Sequence, residues 1–202
     1  KMTDETGAVW KSADELLNQA LRYRAYWKNG GGITVSGGEP LLQIDFLLEF
    51  FKKAKEKGIH TVIDTAGGPF TRKEPFFSKF QELMKYTDLL LVDIKHIDTE
   101  CHKVLTSRSN ENILDMIRYL SDIKKPIWIR HVLVPERSDK DEYLTRLADF
   151  IHSLNNVEKV EILPYHTMGI YKWKELGLDY PLEGINPPTK ERVENAKKIL
   201  TI

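Results

Sequence analysis

Residues 30–40 of this chain read GGGITVSGGEP, so two glycine runs flank a short β-branched segment and a glutamate and a proline follow. Because glycine has no Cβ, a ligand can approach the backbone closely at Gly37 and Gly38. Pro40 fixes one backbone dihedral and removes an amide donor at the exit of the turn. The stretch predicts a strand whose end offers backbone groups and the Glu39 carboxylate to a polar ligand, or else a tight strand-to-helix turn with an exposed acid.

Helical and strand patterns alternate along the rest of the chain. The periodicity predicts helices over residues 12–28, 43–57, 71–84, 110–123, 138–154 and 189–200, and strands over residues 33–36, 60–64, 89–93, 127–134 and 157–163. Strands that alternate with helices form a parallel sheet with right-handed crossovers. We therefore expect a single α/β domain over residues 1–202. A full eight-fold barrel needs about 250 residues, which favours an incomplete barrel or an open doubly wound sheet.

Three of these helices have a start signal in which an acid follows a hydroxyl residue by three positions. The pairs are Ser12 with Glu15, Thr71 with Glu74, and Ser138 with Asp141. Each pair predicts a side-chain cap on the first turn of its helix.

Composition excludes several classes of protein. The chain has 202 residues with 30 basic and 30 acidic side chains, whereas a nucleic-acid surface needs a basic excess. No apolar run approaches the roughly 20 residues of a membrane span, and the first residues lack the apolar segment of a signal peptide. The single cysteine, Cys101, excludes an internal disulfide and suits a reducing cytoplasm. The expected protein is cytoplasmic and binds neither nucleic acid nor membrane.

Polar residues stand at the end of every predicted strand, where parallel α/β folds place their active sites. In chain order they are Ser36 to Glu39, Asp64 and Thr65, Asp93 with Lys95 and His96, Arg130 and His131, and Tyr165 and His166. Each alone is compatible with a turn cap, a local ion pair or a surface histidine. Together they suit a zwitterionic ligand, whose ammonium would meet carboxylates and whose carboxylate would meet Arg or Lys. A small cation held by Asp64, Asp93 and backbone oxygens is the alternative. A phosphate site is disfavoured because the chain has no Walker-type Gly-Lys-Ser/Thr.

Five segments resemble one family in both order and spacing. They are residues 31–40, Asp64-Thr65-Ala66-Gly67, Asp93-Ile94-Lys95, Trp128-Ile129-Arg130 and Ile162-Leu163-Pro164-Tyr165-His166. Over nearly the whole chain they resemble the radical S-adenosylmethionine (SAM) enzymes, and among these the glycyl-radical-enzyme activases. The resemblance implies an α/β fold of the partial (β/α)6 TIM-like barrel type.

The resemblance also implies a binding site. Gly37, Gly38 and Glu39 would hold the SAM amino group. Asp64, Lys95, Arg130, Val132 and His166 would line the rest of the SAM pocket. Asp64, Thr65 and Asp93 match positions of a monovalent cation beside the SAM carboxylate, and Asp93 would also face the glycine peptide. No general acid or base is assigned, because the cofactors carry the radical chemistry. The chain departs from the family in having Ala66 where Asn is common and in an apparent insertion of Gly68-Pro69.

The implied reaction is the reductive cleavage of SAM at a [4Fe-4S] cluster, followed by hydrogen abstraction from a glycine of a partner protein. The partner would be a glycyl radical enzyme, and the reductant a flavodoxin or a ferredoxin-like protein. Residues 1–36 contain no cysteine, which disfavours the activases with a ferredoxin-like insert there and makes pyruvate formate-lyase the expected partner. Activation of another glycyl radical enzyme is the alternative.

One element of the family pattern is absent. These enzymes bind the cluster through Cys-x3-Cys-x2-Cys, and this chain has only Cys101, between the third and fourth strands. We expect an N-terminally truncated fragment that lacks the first strand and the cluster loop and is inactive alone; a homologue that has lost the cluster is the alternative. A missing first strand would leave residues 33–36 as a sheet edge open to self-association.

Two functions from other classes stay open at this point. Lys95 follows a strand and is flanked by acids, so it would serve as the Schiff-base amine of a (β/α)-type lyase or aldolase. The chain would otherwise be a non-catalytic domain that binds SAM or a peptide. Trapping of a substrate on Lys95 would support the lyase or aldolase. Calorimetry with SAM discriminates between the remaining hypotheses.

Overall fold

The computed structural model describes residues 9–27 and 30–201, and the chain divides into two compact units, Lys1–Leu91 and Val92–Ile202. The strands are β1 (Gly32–Val35), β2 (His60–Thr65), β3 (Leu89–Asp93), β4 (Ile127–Leu133) and β5 (Val157–Pro164). The helices are α1 (Ala13–Leu21), α2 (Ile44–Glu56), α3 (Phe76–Lys85), α4 (Thr99–Thr106), α5 (Glu111–Asp122), α6 (Asp141–His152), α7 (Ile170–Glu175) and α8 (Lys190–Ile199). The strands form a parallel sheet in chain order, which confirms the predicted α/β class. The assignment of residues 1–202 to one domain stays a prediction.

In the first unit, a glycine sets the contact between the first two strands. β1 pairs in parallel with β2, with Gly32 opposite His60 and Val35 opposite Ile63. A Cβ on Gly32 would lie only 2.0 Å from the His60 carbonyl oxygen. Side chains from α2, α3 and β2 fill the core of this unit, among them Phe50, Phe51, Ile63, Phe80 and Leu83. The register brings the ends of β1 and β2 to the same edge.

The first helix begins as predicted but ends early. The Ser12 hydroxyl accepts a hydrogen bond from the Glu15 amide at 3.2 Å, and the Glu15 carboxylate accepts one from the Ser12 amide at 2.8 Å. The prediction of helix to residue 28 was wrong, because α1 ends at Leu21 and a 3-10 turn follows. Tyr23 and Tyr26 are 58% and 80% exposed, so this segment buries no apolar face that would sustain a helix. Lys28 lies outside the described residues.

The predicted cap at Thr71 and Glu74 was wrong. The first residue of α3 is Phe76, and Pro75 before it makes no side-chain cap, although the Glu74 carboxylate accepts a long hydrogen bond of 3.3 Å from the Ser78 amide in the first turn. A residue that precedes proline is disfavoured in the helical region, so Glu74 before Pro75 delays the helix. Phe80 is buried, whereas Phe76 and Phe77 are only half-buried.

The predicted cap at Ser138 was also wrong. The residue before α6 is Lys140, and its side chain makes no cap. The Ser138 hydroxyl instead donates to the Val132 carbonyl at 2.7 Å and accepts from the Val134 amide at 3.0 Å. Ser138 is fully buried, so its hydroxyl satisfies backbone groups at the end of β4 rather than those of a helix.

In the second unit, successive side chains of strand β4 alternate between the two faces of the sheet. It pairs in parallel with β5, with Ile129 opposite Val160. Alternate residues from Ile127 to Leu133 are buried, whereas those between them are half-buried. Arg130 and Val132 therefore share one face, and His131 lies on the other.

Two helices of the second unit were not predicted. Helix α4 begins after Asp98, whose carboxylate accepts hydrogen bonds from the Glu100 and Cys101 amides at 3.1 Å each. Helix α7 has six residues and lies between the predicted fifth strand and the predicted last helix, where no element was predicted. Within residues 9–27 and 30–201, no helix has the length and apolar character needed to cross a bilayer.

Candidate functional site

The first group of predicted site residues lies at the ends of β1 and β2, in the first unit. Gly37 and Gly38 have φ angles of +85° and +52°, in the left-handed region that favours glycine. No atom lies within 4 Å of the Cβ position of either residue. Both residues are exposed, so the backbone of this loop is open to a ligand.

Glu39 joins this loop to the end of β2. Its Oε1 accepts hydrogen bonds from the Leu41 amide at 3.0 Å and from the Thr65 hydroxyl at 2.6 Å. Its Oε2 accepts one from the Ala66 amide at 2.9 Å. A carboxylate has about four acceptor positions, and three of these are occupied here. Glu39 can therefore accept about one further hydrogen bond from a ligand.

Asp64 and Thr65 end the second strand with side chains on opposite faces, because successive residues of a strand alternate. Asp64 is half-buried, whereas Thr65 is 2% exposed. The Thr65 hydroxyl also accepts a hydrogen bond from the Gly67 amide at 2.8 Å. The bond from Thr65 to Glu39 was not predictable from local sequence, because the two residues are 26 positions apart and the register of β1 against β2 brings them together.

The second group lies in the second unit and centres on Asp93. Its Oδ1 lies 2.9 Å from Nε and 2.8 Å from Nη2 of Arg130, and its Oδ2 lies 2.6 Å from Nζ of Lys95. The side chains of Asp93, Arg130 and Lys95 are 13%, 17% and 32% exposed. The ion pair of Asp93 with Lys95, one of the sequence-based alternatives, is confirmed. One carboxylate between two cations leaves a net positive charge, which suits an anionic group of a ligand.

Val132 and His166 complete the predicted SAM residues. Val132 lies on the same half-buried face of β4 as Arg130. His166 is exposed, two positions after the end of β5. Between them in chain order, Tyr165 is buried, and its hydroxyl lies 2.8 Å from that of Tyr180. Burial, followed by this hydrogen bond, raises the pKa of Tyr180 to about 12, so Tyr180 is a neutral hydroxyl near neutral pH.

Two histidines expected at the strand ends are buried instead. The His131 ring lies with Nδ1 2.8 Å from the Ile94 carbonyl and Nε2 3.2 Å from the Ser138 carbonyl. Burial lowers the pKa of His131. His96 is 1% exposed, and its Nδ1 accepts a hydrogen bond from the Asp98 amide at 2.9 Å. Burial, followed by the charge of His131, lowers the pKa of His96. Both rings support the backbone of this unit.

Cys101 belongs to neither group, and its side chain contacts Tyr143 instead. It is half-buried on α4, and its Sγ lies 3.5 Å from the Tyr143 hydroxyl. Within the described part of the chain, no cluster of three or more His, Cys, Asp or Glu side chains is arranged to hold a metal ion.

The described cavities do not coincide with the predicted residues. A cleft of about 810 Å³ runs along α1, between Trp10 and Tyr23. A smaller one of about 230 Å³ lies beside α4, where Cys101 and Tyr143 contribute to its wall. Neither is lined by a residue of the predicted SAM site, so the strand-end groups are identified by their chemistry rather than by a closed pocket.

Comparison with known proteins places the chain in a family. The family model of the radical SAM superfamily matches residues 2–148. The pyruvate formate-lyase-activating enzyme of Streptococcus mutans is 53% identical over 193 residues, which make up 96% of this chain and 73% of that protein. The protein of the same name from Listeria monocytogenes is 54% identical over 191 residues, 94% of this chain and 77% of that protein.

Solved structures agree with this assignment. A crystal structure of a domain of pyruvate-formate lyase-activating enzyme from Bacteroides vulgatus superposes with a TM-score of 0.68 at 29% identity, covering 85% of this chain and 94% of that one. SuiB of Streptococcus suis bound to S-adenosylmethionine gives a TM-score of 0.68 at 18% identity, covering 96% and 41%, and shows the fold alone. The predicted partial-barrel class is therefore confirmed. The chain belongs to the radical SAM superfamily and, within it, to the family of the pyruvate formate-lyase-activating enzymes.

Proposed function

We propose that this chain takes part in the activation of pyruvate formate-lyase, by binding the SAM whose cleavage generates a glycyl radical on that enzyme. The observation that carries the proposal is the 53% identity to an activating enzyme over 96% of the chain. Membership of the radical SAM superfamily implies SAM and a [4Fe-4S] cluster as cofactors. The strand-end groups of each unit have the chemistry that a zwitterionic amino acid such as the methionyl part of SAM requires.

The first unit would receive the SAM amino group. Gly37 and Gly38 leave their backbone open, and Glu39 has about one acceptor position that its three internal donors do not use. Backbone carbonyls and a carboxylate are the groups that accept hydrogen bonds from an ammonium. Asp64, half-buried at the end of β2, adds a second carboxylate to the proposed SAM residues of this unit.

The second unit would receive the SAM carboxylate. Lys95 and Arg130 both contact the carboxylate of Asp93, and these three groups taken together carry a net positive charge. A guanidinium has five N–H donors in a planar arrangement that fits a carboxylate well. We assign Val132 and His166 to the rest of the SAM pocket, with Val132 on the face of Arg130 and His166 exposed after β5.

A monovalent cation near Asp64, Thr65 and Asp93 is a further part of the proposal. Asp64 supplies a half-buried carboxylate. Asp93 already binds two cationic side chains, so a cation there would have to displace Lys95 or Arg130. A glycine peptide that binds Asp93 would likewise have to compete with Lys95 and Arg130 for the carboxylate. The presence of this cation can be tested by measuring SAM affinity at increasing potassium concentrations. Choline chloride serves as the ionic-strength control.

The residues of this chain do not fit the [4Fe-4S] cluster. Such a cluster is held by several cysteine thiolates, whereas the chain has one, and Cys101 lies on α4 beside Tyr143. We therefore derive no step through the cluster from these residues. After incubation with iron and sulfide under anoxic conditions, the chain alone should release no 5′-deoxyadenosine from SAM. Appreciable 5′-deoxyadenosine would contradict this expectation.

The protein partner can be tested separately from the chemistry. We propose that the chain binds pyruvate formate-lyase, that a flavodoxin or ferredoxin-like protein is the reductant, and that the protein is cytoplasmic, as its single cysteine suits. Calorimetric titration of the chain with pyruvate formate-lyase should give saturable binding. Binding of another glycyl radical enzyme but not of pyruvate formate-lyase would redirect the proposal to that enzyme.

A further inference from the structure

We propose that Thr65 is a positioning residue for SAM, because its hydroxyl fixes the Glu39 carboxylate in the orientation that receives the SAM amino group. The inference rests on the proposed function and deepens it. Its basis is the 2.6 Å hydrogen bond from the Thr65 hydroxyl to Oε1 of Glu39.

The hydroxyl of Thr65 is already used both as a hydrogen-bond donor and as a hydrogen-bond acceptor. A hydroxyl has one hydrogen to donate, and here that hydrogen goes to Glu39. The Gly67 amide donates to the same oxygen at 2.8 Å. The amide approaches the oxygen as a donor, so the hydroxyl hydrogen must point elsewhere, and Glu39 is the acceptor within reach. The two bonds together set the direction of the Thr65 hydroxyl.

Thr65 is also the one donor to Glu39 that a substitution can remove. The other two donors are the backbone amides of Leu41 and Ala66, which every residue except proline supplies. Hydrogen bonds to an ionised acceptor are shorter and stronger than those between neutral groups, and 2.6 Å lies in that short range. Thr65 is 2% exposed, so water does not readily take the place of its hydroxyl.

Loss of the hydroxyl would loosen the carboxylate rather than remove it. Binding groups act only when their neighbours hold them within about 0.5 Å of the productive geometry. Without Thr65, Oε1 keeps one donor, the Leu41 amide, and the carboxylate can turn away from the loop of Gly37 and Gly38. We expect SAM to bind about ten-fold more weakly, the change that corresponds to one hydrogen bond to a charged group.

The test compares by calorimetry the SAM affinity of the wild type, three single variants and one double variant. Thr65→Val keeps the shape but removes the hydroxyl, Thr65→Ser keeps the hydroxyl, and Glu39→Gln removes the charge. We expect about ten-fold weaker binding for Thr65→Val, affinity within about two-fold of the wild type for Thr65→Ser, and no further loss when Thr65→Val is added to Glu39→Gln.

A purely structural role for Thr65 would give a different pattern. It would lower the urea midpoint of Thr65→Val while the folded protein bound SAM as tightly as the wild type, and that result would overturn the inference. If Thr65→Val does not fold, Thr65→Ala is measured against Thr65→Ser in the same way. No SAM binding by the wild type would refute the proposed function itself, whereas wild-type binding that Thr65→Val leaves unchanged would refute only the role of Thr65.

Discussion

The guanidinium of Arg130 and the carboxylate of Asp93 form an ion pair that is largely removed from solvent, with Nε and Nη2 2.9 and 2.8 Å from the same oxygen. The backbone joins the same strands, because the Ile94 amide donates to the Arg130 carbonyl at 2.9 Å. Lys95 neutralises the second oxygen of Asp93. The strand ends of the second unit thus combine a structural ion pair with a net positive charge.

Removing Arg130 should destabilise the second unit markedly. Among the described residues, Arg130→Met leaves the largely buried Asp93 carboxylate with Lys95 as its one cationic partner, and breaking a buried pair costs about 3 kcal/mol or more. The measurement is the free energy of unfolding from urea titration. Lys103→Met is the matched control, because Lys103 and Glu100 form an exposed pair whose loss should cost under about 1 kcal/mol. Equal losses of unfolding free energy in the two variants would show that burial of the Asp93 ion pair adds nothing to its contribution to stability.

Gly32 should tolerate no side chain. A Cβ there would lie 2.0 Å from the His60 carbonyl oxygen and 2.7 Å from its carbon, so Gly32→Ala forces β1 away from β2. We expect a loss of about 3 kcal/mol or more in the free energy of unfolding, the upper range for overpacking. Gly68→Ala is the control, since no atom lies within 4 Å of its Cβ position and its φ is not in the left-handed region. A Gly32→Ala protein as stable as Gly68→Ala would contradict the described register.

Stability should fall as the pH decreases below about 6.5, partly through His96. Burial lowers the pKa of His96 in the fold, so below the ordinary value of about 6.5 the unfolded chain binds more protons than the folded one. The stabilisation is complete above that pH and is lost as the pH falls toward the folded pKa, by at most about 1.4 kcal/mol per pH unit for one group. Burial lowers the pKa of His131 as well, so His131 also contributes to the loss of stability as the pH falls.

Replacement of His96 should therefore flatten the pH dependence. Asn keeps an acceptor for the Asp98 amide but does not titrate, so His96→Asn should reduce the slope of unfolding free energy against pH between 7 and 5. A slope that His96→Asn does not change would show that His96 is not responsible.

Lys95 should not form a Schiff base. Schiff-base chemistry begins from a neutral amine, whereas Nζ of Lys95 lies 2.6 Å from the Asp93 carboxylate. Borohydride reduction in the presence of pyruvate or dihydroxyacetone phosphate, followed by mass spectrometry, should find no adduct. An adduct on Lys95 that disappears in Lys95→Arg would favour the aldolase alternative instead.

The strands were predictable from the sequence because short runs of apolar and β-branched residues indicate buried strands directly. All five occur within one residue of their predicted ends, and each predicted site residue follows or lies in the strand assigned to it. Arg130 and Val132 even share a face, as the two-residue period requires. The α/β class and the family followed from these positions.

The errors concern hydrogen bonds that local sequence does not determine. Ser138 has the spacing of a helix cap, yet its hydroxyl serves the backbone around Val132 and Val134 at the end of β4. The hydrogen bond from the Thr65 hydroxyl to Glu39 was missed for the same reason. Such bonds depend on strand register and loop geometry, which bring together residues that are far apart in the chain.

The affinity of the chain for SAM decides whether the strand ends of the two units bind this cofactor. Calorimetric titration of the wild type, Glu39→Gln and Arg130→Met compares one residue from each unit, with circular dichroism to establish that each protein is folded. We predict saturable binding of one SAM per wild-type chain and a loss of about ten-fold or more in affinity for each variant. Absence of saturable binding at millimolar SAM, or equal affinity in all three proteins, would contradict it.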